Sequence, residues 1–123
     1  MRMLLILAAA GLSLFATSAS AMTVAEFLAK AKALQARGML AAFSSDVTLL
    51  KNEMAGIATA YRADVEGARA AGRKPHSCPP PKGQAKMPPA EFLAELEKIP
   101  PARRGISMKM AFYGIMARKY PCR

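Results

Sequence analysis

The sequence predicts an all-α fold: a small four-helix domain stapled by one disulfide, after a cleaved signal peptide. Three observations predict it. Apolar residues recur at three- and four-residue spacing in four separate stretches. Prolines and glycines punctuate the chain between those stretches. No alternating run rich in Val, Ile and Thr is present to form a strand.

The chain opens MRMLLILAAAGLSLFATSASAM. Arg2 gives a positive start, Met3 to Phe15 an apolar run, and Ala19-Ser20-Ala21 an A-x-A cleavage pattern. The apolar run is shorter than the roughly 20 residues that span a bilayer, and small residues follow it. Residues 1–21 therefore read as a secretory signal peptide, cut after Ala21, with export to the periplasm or beyond. Residues 22–123 are expected to form a single helical domain, with no transmembrane segment in the mature chain.

Thr23 and Glu26 have capping-box spacing, in which each side chain satisfies a free backbone donor at a helix start. Val24, Phe27, Leu28, Ala31 and Leu34 then recur on one face, and Gly38 after Arg37 is a stop signal. The first helix is expected over about 24–36. A second is expected over 46–71, with Ser45 as N-cap and Asp46 suited to the positive end of the helix dipole. Its stripe is Val47, Leu50, Met54, Ile57, Tyr61, Val65 and Ala68, and Gly72 ends it. Gly56 and Gly67 weaken it by up to about 1 kcal/mol each relative to alanine unless close packing needs them.

The connection over 73–88, RKPHSCPPPKGQAKMP, cannot be regular helix, because proline fixes the backbone and removes donors. A short helix follows over about 89–99, with prolines at its first turn and Pro100-Pro101 at its end. Phe92, Leu93, Leu96 and Ile99 form its buried face. The last helix is expected over 107–120, capped by Ser107, with Met108, Ala111, Phe112, Ile115 and Met116 inward. MTVAEFLA at Met22 and MPPAEFLA at Met87 look alike, but their flanks differ, so they read as two similar helix starts.

Export decides how the two cysteines are used. In an oxidising compartment a lone pair of thiols reads as a disulfide, here Cys78 to Cys122. Closing a loop of that length stabilises by about 4 kcal/mol in the chain-entropy picture. The bond would pin the C-terminal end onto the proline-rich connection. A nucleophilic Cys78 served by His76 is disfavoured, since a side chain two residues away rarely has the geometry and an exported thiolate would oxidise.

No catalytic constellation is present, and the chain reads as a non-enzyme. With one histidine, a Ser-His-Asp or multi-histidine zinc site is unavailable without a partner chain. Glu91, Glu95 and Glu97 sit on one short helix beside Lys98, the pattern of a solvated surface. A metal trio of His76, Cys78 and Cys122 is set aside on the oxidising context, and no metal or cofactor is expected. Most of the nine methionines fall on apolar helix faces, where they are ordinary core.

Charge points to anionic partners without choosing one. Removing Arg2 from the 18 Lys and Arg leaves 17 against 8 Asp and Glu, so the mature chain carries about +9. The charges are scattered. Arg103-Arg104, Lys109 and Arg118-Lys119 make the C-terminal half basic, but export argues against nucleic acid. Protein binding is the leading class.

The second half of the chain resembles the immunity proteins that neutralise type VI secreted peptidoglycan amidases, the Rap/Tai group. The resemblance covers roughly residues 47 to 123. It rests on the junction Cys78-Pro79, the amphipathic helix from Phe92 to Pro100, the basic residues after it, and the close Tyr120-Pro121-Cys122. The sequence departs from the family in having no cysteine before Cys78, where members often carry a further pair. The resemblance implies an exported, disulfide-stapled inhibitor, often a homodimer, that plugs a toxin's active site without chemistry of its own. The presenting surface is then expected from Arg73 to Lys86, with Lys74, His76, Lys82, Gln84 and Lys86 as polar contacts, because a stiff loop loses little entropy on docking. Two alternatives stay open: a periplasmic stress or acid chaperone exposing a methionine-rich face, and a domain that binds the anionic cell wall by charge.

Overall fold

The computed structural model describes residues 21–123. The expected signal peptide lies, apart from Ala21, outside the described residues. Four α-helices run in chain order: α1 Val24–Arg37, α2 Ser45–Ala70, α3 Pro89–Glu97 and α4 Met108–Lys119. Two 3-10 turns, Gly38–Phe43 and Pro101–Arg103, stand between them, and no strand is found among the described residues.

The ends of the helices follow from local chemistry. The capping box at α1 is complete: the Thr23 N–H donates to Glu26 Oε2 at 3.0 Å and the Glu26 N–H to Thr23 Oγ1 at 3.2 Å. The next donors of α1 reach across the molecule, Val24 N–H to the Ile106 carbonyl and Ala25 N–H to that of Arg104. In return Met108 N–H, at the start of α4, donates to the Met22 carbonyl at 2.9 Å. Two helix starts thus satisfy each other through one short isolated bridge, Thr23 with Ser107.

The cap of α2 corrects the sequence reading. Ser44, not Ser45, is the N-cap, and its hydroxyl accepts from Asp46 N–H at 3.2 Å. The two serines offer the same hydroxyl, and the extended backbone at Ser44 decides between them. At the far end Arg73 N–H donates to the Ala68 carbonyl and Gly72 N–H to that of Arg69, with Gly72 at φ 69. That is a Schellman close, and it needs the left-handed backbone that glycine adopts freely. A methyl added at Gly56 or Gly67 would meet nothing within 4 Å outside the helix's own backbone, so neither glycine is required by close packing.

The α3 helix ends at Glu97, two residues before the expected boundary, and its last carbonyls are held by one side chain. Arg104 donates to the Ile99 carbonyl at 2.8 Å and to the Glu97 carbonyl at 2.9 Å. A residue that reads as part of a basic surface therefore closes a helix.

All four helices feed one core. Val24, Phe27, Leu28 and Ala31 of α1 meet Leu50, Ile57, Tyr61 and Val65 of α2, Phe92 and Leu96 of α3, and Met108, Ala111, Phe112, Ile115 and Met116 of α4. Phe112 lies edge-on to Tyr61 at 5.4 Å and to Phe92 at 6.0 Å between ring centroids, joining α2, α3 and α4. Ion pairs at the surface join α3 to α4: Lys119 to Glu91 at 2.7 Å, and Arg118 to Glu95 at 3.9 Å.

Candidate partner-binding surface

The connection between α2 and α3 is irregular but fixed. Cys78 and Cys122 form the disulfide, with 2.08 Å between sulfurs and 4.9 Å between α-carbons. Cys78 N–H donates to the Tyr120 carbonyl at 2.8 Å, so the tail is joined to the loop by a hydrogen bond as well as a covalent bond. The α2 helix holds the loop from the other side. Arg62 donates to the Pro80 carbonyl at 3.0 Å, and Arg69 reaches the Pro79 carbonyl at 3.5 Å. Lys119 donates to the Lys86 carbonyl at 3.0 Å.

The deepest anchor is a pair of hydroxyls. Ser77, fully buried, shares a 2.7 Å hydrogen bond with the Tyr61 hydroxyl, and Tyr61 is itself 2% exposed. Burying either hydroxyl alone would be costly, and together they satisfy each other. Proline stiffness, a disulfide and five polar ties thus fix the segment from Ser77 to Lys86.

The five expected contact residues are exposed but fall into separate places. Lys74 and His76 share a shallow hollow of about 370 Å³ with Asp64, Gly67 and Arg73. Lys82 and Gln84 stand on a tight turn closed by the Gln84 N–H to the Pro81 carbonyl, with Gly83 at φ 91. Lys86 lines a different hollow, beside Arg62, Met87 and Tyr120. His76 also has packing neighbours: its ring lies 4.7 Å from that of Tyr113 and 5.4 Å from that of Tyr61.

Tyr113 is the most perturbed group in this region. Partial burial holds its phenol well above the ordinary tyrosine value, and the hydrogen bond it donates to the Asp64 carboxylate adds to that. Lys109 lies over the same ring, 5.4 Å from its centroid. Two surface groups are shifted by their ion pairs. The Lys98 ammonium lowers the Glu95 carboxyl, and the Glu91 carboxylate raises Lys119. Among the described residues, no group of three or more His, Cys, Asp and Glu gathers to hold a metal, and both thiols are committed to the disulfide.

Sequence reasoning missed a second surface. Met39, Leu40 and Phe43, on the 3-10 turn between α1 and α2, are 94%, 71% and 89% exposed. Beside them an apolar groove of about 540 Å³ opens between α1, α2 and α3. Leu34, Val47 and Met54, expected to face the core, line this groove and are only half covered. The sequence signal was the uncharged run GMLAAFSS from Gly38 to Ser45, which breaks the helical pattern while staying apolar. Comparison with protein-family models, with curated proteins and with solved structures finds no match to this chain.

Proposed function

We infer that this chain is an exported, non-enzymatic binding protein that blocks one protein partner by occupying its surface. The observation that carries the reading is the connection from Ser77 to Lys86. Five polar ties and the disulfide hold it, while Lys82 and Gln84 stand exposed on its turn. A surface already ordered before contact loses little conformational entropy when it docks, which favours tight binding without chemistry. The basic charge suits a partner whose binding cleft is acidic. The resemblance to amidase immunity proteins makes a secreted peptidoglycan amidase the partner of choice, with inhibition by steric occlusion.

Charge reversal at the turn tests this surface. Lys82→Glu combined with Lys86→Glu is expected to weaken partner binding at least about tenfold, a loss of 1.4 kcal/mol or more. The fold should be unaffected, since both side chains are exposed. Undiminished inhibition of a purified amidase by the double variant would remove the loop from the interface.

A further inference from the structure

The apolar groove has the shape and charge of a docking site for a helix. Its walls are Phe27, Ala31 and Leu34 of α1, Leu50 and Met54 of α2, and Phe92 of α3, among others. From Phe27 to Leu34 the α1 wall runs two turns, or about 10 Å at the helical rise, which matches the i, i+4, i+7 seam of an incoming helix. Lys51 is the one charged residue lining it, and no carboxylate does. The exposed Met39, Leu40 and Phe43 belong to the turn that joins the two helices forming its walls.

Three kinds of occupant could cover such a face, and charge and shape separate them. A bilayer is flat: it would take up the protruding turn and leave the concave groove unfilled. A second copy would bring one strongly basic mature chain, about +9, against another, with a Lys51 from each side. An acidic helix meets the groove with both complementary shape and complementary charge. We propose that the groove between α1, α2 and α3 binds an amphipathic helix with an apolar seam and acidic flanks, supplied by a protein partner. The inference rests on the reading that the chain binds a protein, and adds a second contact surface that adjoins the proline-rich connection at Met87.

The test uses the oxidised mature chain, isotope-labelled, and two synthetic helices of about 14 residues, long enough to form helix on a surface. Both carry leucine at i, i+4 and i+7; one has glutamate on its flanks and the other lysine. The acidic peptide is expected to shift the amide resonances of Leu34, Lys51 and Met54 and to bind at least about tenfold tighter than the basic one. Lys51→Glu, at an exposed position, is expected to weaken the acidic peptide roughly threefold to tenfold. Shifts confined to other faces, or equal binding of both peptides, would overturn the proposal. So would concentration-dependent dimerisation that perturbs the same resonances, which assigns the groove to a second copy. Partition of the chain onto anionic vesicles through Met39, Leu40 and Phe43 would assign the face to a membrane instead. Lys82→Glu alone separates the two surfaces, because Lys82 lies outside the groove lining and this variant should bind the acidic peptide as the parent does. Peptide binding in the groove with amidase left uninhibited would overturn the function reading alone, whereas inhibition with a silent groove would overturn this proposal alone.

Discussion

Tyr61 links the core to the loop through a single oxygen. Its ring packs on Phe112 and its hydroxyl meets the buried Ser77, so one residue of α2 orders both regions. Tyr61→Phe would leave the Ser77 hydroxyl buried without its partner, at a cost of about 1–3 kcal/mol. Denaturant melts read that loss as a lower midpoint at unchanged slope, and an unchanged midpoint would show that the pair contributes nothing. Tyr113 makes a prediction about pH. Its phenol stays protonated in the folded chain above its ordinary value of 10.0, so the unfolded chain loses that proton first. As pH rises past 10.0 the unfolded state binds fewer protons than the folded state, and stability falls. The contribution is complete below that value and is lost toward the higher folded value. Tyr113→Phe should flatten the alkaline limb of stability against pH, and an identical limb in the variant would contradict this. At this scale the sequence was only partly legible. The Thr23 and Glu26 box could be read because both partners lie within one turn. The Tyr61–Ser77 pair could not, since nothing local says which hydroxyl a residue 16 positions away will face.

The helices were legible as elements because their apolar periodicity and their proline and glycine boundaries are local signals. Their boundaries moved by one or two residues, as with Ser44 in place of Ser45 and α3 ending at Glu97. Periodicity marks which side chains are apolar but not whether a neighbour covers them. That is why Leu34 and Met54, expected in the core, pack against it yet stay half open to a groove, and Val47 lines the groove alone. The proline-rich connection was legible as irregular and as the site of the staple, whereas its ties to Arg62 and Arg69 were not. The staple has a measurable weight. Closing the ring between residues 44 apart in sequence should contribute about 4 kcal/mol by chain entropy. Cys78→Ser with Cys122→Ser is therefore expected to lower stability by about that amount, and to raise hydrogen exchange across residues 77–86. A variant as stable and as protected as the parent would mean that the hydrogen bonds hold the loop by themselves.

Across the whole molecule, a modest core is closed by two long-range devices: the disulfide between tail and loop, and the reciprocal capping of α1 and α4. The ion pairs of α3 with α4 are exposed and add little to stability. What remains outside is a strongly basic surface, a rigid polar turn at Lys82 to Gln84, and an apolar groove between α1, α2 and α3. The first two could be read from the sequence, whereas the third left only the apolar run from Gly38 to Ser45 as a signal. A rigid presenting loop is of use to an inhibitor with one partner, while a chaperone would need surfaces that adapt to many. The most direct measurement is affinity capture with the oxidised mature chain as bait, washed at high salt to strip charge-only contacts, with bound proteins identified and their stoichiometry determined. The account predicts one partner at fixed stoichiometry, a secreted peptidoglycan amidase. Recovery of many unrelated proteins, or of none until the pH is lowered, would contradict it and favour a chaperone or a wall-binding domain.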